Sequence, residues 1–197
     1  ALGVGVVLFL VSLGYGFQYI LIGNLATTQE SLASLEVYYP PQSGLFLSPE
    51  NISSFSGMRD VEKVATAADF SAEAKAVGVA DAQSGFVLVR VVDHAYLSLA
   101  GITPELGESC AEGTSQVVVS GGALRVLGLP VDESSLGKRL DINVFRTTDE
   151  TTGTVEGVAV SSEPIIAGII EENQPYIIVE RAVIPFEPTS FGRVLVK

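Results

Sequence analysis

The chain has 197 residues, a formal net charge of −12 and a pI near 4.4, its 11 Lys and Arg scattered among 23 Asp and Glu. No basic face exists to neutralise phosphates, which argues against nucleic acid as a partner. The single cysteine, Cys110, cannot form an internal disulfide, so the fold must be held by an apolar core.

The first charged side chain is Glu30. At about 1.5 Å per residue, a helix over Leu2–Gly23 spans roughly 30 Å, the thickness of a bilayer's hydrocarbon core, and a transmembrane helix is expected there. Its glycines would weaken a helix in water, but in lipid they let a neighbour approach. Ser12 and Gly16 form a small-xxx-small pair, the candidate helix-packing positions. Tyr15, Phe17 and Tyr19 lie toward the distal end, where aromatic rings favour the interface. A secretory signal peptide would carry a basic leader, whereas no Lys or Arg precedes Arg59. The chain reads as a fragment of a larger membrane protein, with the residues after about 30 on the extracytoplasmic side.

Residues 24–36 keep a helical pattern with Leu25, Leu32 and Leu35 on one side, which predicts a stalk continuing the span. A strand is expected at Val37–Tyr39, stopped by Pro40 and Pro41. Ser48 followed by Pro49 and Glu50 predicts a helix start, ending near Gly57. Strand signals follow at Val61–Ala68, Ala74–Val79 and Phe86–Val92, then a short helix at Tyr96–Ala100 closed by Gly101. Gln116–Val119 predicts a strand running into a helix, Gly121–Leu127, capped by Ser120. The alternation around Leu140, Ile142 and Val144 predicts one arm of a hairpin with its tip at Thr147–Gly153. Thr154–Glu171 is the expected return arm, bent at Pro164. Tyr176–Ile184 and Arg193–Val196 complete the set. The class is α+β, a transmembrane helix and stalk followed by a mixed-sheet domain.

No motif nominates a catalytic, cofactor or metal site. His94 is the only histidine and lacks ligand or triad partners of the right type, so it reads as a turn residue. Cys110 reads as a small apolar residue. The acidic tip at Asp149 and Glu150 lacks the oxygen-ligand alternation of a calcium loop. Gly121 and Gly122 before a helix are a weak anion site without the rest of a phosphate loop. Gly14-Tyr15-Gly16 sits inside one helical run rather than in a filter loop between two spans.

Taken in order, the segments SLGYGFQ (Ser12–Gln18), LEVYYP (Leu35–Pro40), DVEKVA (Asp60–Ala65), VVDHAYLSLAGITPELGE (Val91–Glu108), QVVVSGGALRVLGLP (Gln116–Pro130) and SLGKRLDI (Ser135–Ile142) resemble a known family. So do IIAGIIEE and YIIVERAVIPFE further on. The family is the ABC-transporter permeases of the MacB/FtsX/LolC type, in their first transmembrane helix and extracytoplasmic domain. His94 stands where that pattern commonly has Pro. The resemblance implies a transmembrane helix and stalk over 1–36 and an extracytoplasmic domain over 37–197, porter-like with a subdomain inserted at roughly 70–150. It also implies mechanotransmission rather than catalysis, without cofactor. The partners would be a cytoplasmic ATPase on a separate subunit or domain, a second permease copy in a homo- or heterodimer, and the lipid bilayer of the inner membrane. Leu25, Leu32 and Leu35 would carry the stalk contact across the dimer. Two other classes compete: a single-span sensor, which needs a concave pocket with converging polar groups, and a membrane-anchored hydrolase, which needs a nucleophile and base.

Overall fold

A computed structural model of the chain describes Ser12, Tyr15 and residues 34–40, 43, 45–80, 82–149, 154–160 and 162–197. Most of the expected span and of the stalk, with Gly16, Leu25 and Leu32, lies outside the described residues. Ser12 and Tyr15 are both helical and exposed. Among the described residues no helix is long and apolar enough to cross a membrane.

The elements in chain order are β1 (Leu35–Val37), α1 (Pro49–Ser56), β2 (Val64–Ala76), β3 (Ser84–Val92), α2 (Tyr96–Ala100), β4 (Leu106–Gly107), β5 (Gln116–Ser120) and α3 (Gly121–Val126). They continue with β6 (Leu140–Asp149), β7 (Thr154–Ala159), β8 (Ile165–Ile170), β9 (Tyr176–Glu180) and β10 (Arg193–Val196). The strands form one mixed sheet, ordered β1-β10-β2-β3-β9-β5-β8-β4, with the β6–β7 hairpin attached to β2. Strands β3 and β9 run parallel, as do β5 and β8, and the other pairings are antiparallel.

Strand β2 organises this sheet. One of its edges pairs with β3, while the other pairs with β10 over Val64–Ala67 and with β6 over Ser71–Ala76. Period-2 alternation sends Ala72, Ala74 and Ala76 into the main core, against Val87, Val89, Leu140, Ile142 and Ile177. Asp69, Ser71 and Glu73 fall on the opposite face. There the Arg90 guanidinium bonds both oxygens of Asp69, from Nε at 2.7 Å and from Nη2 at 3.0 Å. The same alternation places Ala65 and Ala67 beneath α2 with Tyr96, Leu97 and Leu99. A third cluster joins Leu47, Ala68, Phe191 and Val194, with Ile52 and Phe55 of α1 packed on it.

Local chemistry sets the helix ends. Ser48 and Asn51 form a reciprocal capping box at α1, Ser48 Oγ accepting from the Asn51 N–H and Asn51 Oδ1 accepting from the Ser48 N–H. Gly101 closes α2 in the left-handed region at φ 66°, where a Cβ would be strained.

Four expectations are corrected. Leu35 and Glu36 are not stalk helix: they open β1, Leu35 lying opposite Val196, because the β10 edge offers their backbone a ladder. The two stretches expected over 61–79 are one strand of 13 residues, disguised by alanines, which are poor strand formers until a buried sheet face claims them. The hairpin's return arm ends at Ala159. Past Pro164, which has no N–H for a ladder, the chain changes partner: Ile165 N–H bonds the Ser115 carbonyl at 2.8 Å and β8 runs parallel to β5. Finally, β9 stops at Glu180 and a 3₁₀ turn, Arg181–Val183, follows.

Candidate functional site

Parallel strands β3 and β9 finish side by side, Val92 opposite Glu180. The residues that continue them therefore meet: Asp93 and His94 from one, Glu180 and Arg181 from the other. They pair crosswise. His94 Nδ1 lies 2.6 Å from Glu180 Oε1, and Arg181 Nη1 lies 3.5 Å from Asp93 Oδ1. Asp93 Oδ2 also accepts from the Thr66 N–H at 2.8 Å and from Thr66 Oγ1 at 2.6 Å, fastening the turn to β2. Glu180 is the buried member, only 5% exposed, and its second oxygen accepts from the Gly113 N–H at 3.1 Å. Arg181 further bonds Glu187 Oε2 at 2.7 Å and lies over the Phe191 ring. One cluster thus ties together the start of α2, the 110–114 loop and the end of β9.

Beside it opens a cavity of about 560 Å³ whose lining includes Lys63, His94, Ser98, Thr103, Ser109 and Cys110. Burial, reinforced by the Glu180 carboxylate, pushes the Cys110 thiol up to about 11. At neutral pH the sulfur is a protonated, buried group rather than a nucleophile. Cys110 is expected to stay silent toward Ellman's reagent in the native chain at pH 8 and to react fully on unfolding in guanidinium, and rapid native modification would contradict this placement. Among the described residues no group of three or more His, Cys, Asp or Glu could hold a metal ion. The chemistry on offer is that of a lock: charge-assisted hydrogen bonds that fix one segment against another.

A second feature lies on the sheet face that carries Asp69. Arg90 and Arg193 line two adjoining cavities of about 500 and 410 Å³, one walled by Phe86 and Tyr176, the other by Tyr96 and Leu99. Both arginines already hold carboxylates, Arg90 that of Asp69 and Arg193 that of Glu36. The Tyr176 hydroxyl donates to Glu172, and burial together with that carboxylate pushes its phenol well above the usual tyrosine range. Converging polar groups of the kind a sensor pocket needs are here bonded to one another.

The first and last strands of the described domain lie side by side. Leu35 faces Val196 across β1 and β10, and the Ser34 hydroxyl donates to the Leu99 carbonyl at 2.8 Å, bonding the incoming segment to α2. Since α2 starts beside His94, a path of direct bonds runs from Ser34 through α2 to the end of β9.

Of the sequence-named candidates, His94 does occupy a turn, but a turn bonded to a buried carboxylate. Leu35 is 68% exposed at the sheet edge. The helix start at Gly121 and Gly122 has no room for an anion: the Gly122 N–H goes to the Glu172 carbonyl and the Ala123 N–H to Ser120 Oγ. The acidic tip beyond Asp149 is outside the described residues. Sequence reasoning missed Glu180 and Arg181. Their one signal is a pair of charges following an apolar strand, as Asp93 and His94 do, and only the parallel β3–β9 register makes the two pairs neighbours.

No protein-family model matches the sequence, and no curated protein is significantly similar to it. Solved structures do share its fold. The extracellular domain of the noncanonic ABC-type transporter YknZ from Gram-positive bacteria superposes with a TM-score of 0.55 at 15% identity, over 83% of this chain and 82% of that one. The periplasmic region of MacB from Actinobacillus actinomycetemcomitans gives a TM-score of 0.57 at 12% identity, over 86% of this chain and 77% of that one. The described residues therefore have the mixed-sheet fold shared by the extracytoplasmic domains of these two transporter proteins.

Proposed function

We propose that the chain is the extracytoplasmic domain, with its leading transmembrane helix, of an inner-membrane ABC-transporter permease that relays motion from a separate cytoplasmic ATPase. The observation that carries this reading is the junction of Leu35 and Val196 in a domain with the MacB and YknZ fold. A domain whose first and last strands are hydrogen-bonded neighbours holds the segment that precedes β1 against its sheet edge. The apolar run 1–29 supplies the span before it.

The bonded path from Ser34 to β9 gives that relay a physical form. A shift of the incoming segment pulls on α2 through the Ser34–Leu99 bond. Because α2 is short and its buried Tyr96, Leu97 and Leu99 lie in the core, the pull moves the turn at Asp93 and His94 rather than bending the helix. In this reading Leu25, Leu32 and Leu35 form the stalk contact with a second permease copy, Ser12 and Gly16 pack the spans, and the domain's outer part includes an insertion at roughly 70–150. The chain itself performs no catalysis.

Topology tests the reading. Thr147 is exposed on the β6 arm. In a Thr147→Cys variant the new thiol is expected to react with a membrane-impermeant maleimide on intact or outer-membrane-permeabilised cells, while buried Cys110 stays silent. Labelling only after lysis would contradict the orientation.

A further inference from the structure

Among the described residues, five large exposed apolar side chains fall within one short stretch at a sheet edge. Leu35 is 68% exposed, Tyr38 58%, Tyr39 40%, Leu45 59% and Phe46 64%, all within β1 and the excursion that follows it. That excursion leaves β1 at Val37 and returns at Leu47, which bridges Phe191, and within it the Ser43 N–H bonds the Pro40 carbonyl at 2.9 Å. Strand β1 pairs with β10 on one side and, among the described residues, with no strand on the other. A large exposed apolar area next to an open edge marks an interaction surface.

Charge says what covers it. Between Glu36 and Glu50 the sequence has no Asp, Glu, Lys, Arg or His, in a chain whose net charge is −12. Two copies of so acidic a domain repel wherever carboxylate-bearing surfaces close on each other. An uncharged strip is where like-charged copies can meet at the least Coulomb cost. A basic partner would instead seek the carboxylates that this strip excludes. Other exposed apolar side chains lack that freedom: Phe86 sits opposite Glu73, and Val155 precedes Glu156.

We infer that Tyr38, Tyr39, Leu45 and Phe46, beside the β1 edge, form an isologous contact between two copies of this chain, those of one packing against the same residues of the other about a two-fold axis. This deepens the permease reading, which calls for a second copy without saying which surface meets it. A two-fold beside β1 also brings the two Ser34 positions together, so the apolar runs that precede them enter the membrane as neighbours.

The test uses the whole chain in detergent micelles and again in vesicles of zwitterionic lipid. Single cysteines at Leu35, Tyr38, Tyr39, Leu45 and Phe46, in a Cys110→Ser background, are treated with a short bismaleimide, with Val155→Cys as the distant control. Covalent dimer at one or more strip positions and none at Val155 is the expected result. No dimer at any strip position, or equal yield at Val155, would overturn the contact. Tyr38→Asp with Phe46→Asp should weaken self-association at least tenfold by light scattering, with far-UV circular dichroism unchanged. Association as strong as wild type in the folded variant would also overturn it. Quenching of a fluorophore at Phe46→Cys by brominated lipid, without cross-linking, would give the strip to the bilayer instead. Cross-linking between copies makes no use of an ATPase, so failure here leaves the permease reading to be judged by its own topology and partner assays.

Discussion

Replacing Ser120 with alanine is expected to lower the unfolding free energy by about 2–4 kcal/mol, a large share of the stability of an ordinary domain. Ser120 is fully buried, and its hydroxyl serves three backbone groups. It accepts from the Ala123 N–H at 3.1 Å, capping α3, and from the Tyr176 N–H at 3.0 Å, and it donates to the Gln174 carbonyl at 2.6 Å. Losing the cap alone costs about 1 kcal/mol. The two remaining groups sit where β5, α3 and the approach to β9 converge, and each buried group left unpaired adds about 1–3 kcal/mol, less what water and relaxation recover. Urea unfolding of a fragment beginning before Ser34 measures the loss. It must include Ser34, because a cut at Glu36 would remove Leu35 from β1. Ser120→Thr keeps the hydroxyl and should lie nearer wild type than Ser120→Ala. A Ser120→Ala loss under 1 kcal/mol would mean that the hydroxyl is not the junction described.

His94→Ala is expected to cost about 1–2 kcal/mol, since it strips the buried Glu180 carboxylate of a close partner and leaves it the Gly113 N–H, while the half-exposed position of His94 lets water recover part of the loss. The sign of a second substitution separates charge from packing. Glu180→Gln removes the buried charge while keeping the size and an oxygen for Gly113. In the His94→Ala background it should therefore restore stability rather than add to the loss. A double-mutant cycle on the same fragment reads this directly. Additive losses would reduce the pair to two independent packing contacts and remove the lock from the proposed path between Ser34 and β9.

Most local structure was legible in the sequence because local chemistry dictates it. The cap at Ser48, the left-handed close at Gly101, the cap at Ser120 and the β-branched run of β3 all appear where residue type and spacing place them. Long-range pairing was not legible. Residues 69–73, between the two expected strands, have no strand signal of their own until β3 and β6 flank them. Nothing local says that the chain past Pro164 abandons β6 for β5, or that Leu35 gives up a helix for the edge of β10. The crosswise pairs at Asp93, His94, Glu180 and Arg181 share this blindness, because each half is an unremarked strand end until the parallel register joins them.

The central claim is that this domain works beside an ATP-hydrolysing partner. The most direct measurement is affinity purification of the full-length protein, tagged, from the membranes of its own organism, with the co-purifying proteins identified by mass spectrometry and ATP hydrolysis assayed on the eluate. An ABC ATPase in amounts comparable to the tagged protein, with turnover that follows it through purification, is the predicted result. Recovery with a histidine-kinase or methyl-accepting signalling region, and no ATPase, would contradict the permease reading and assign the fold to a membrane sensor.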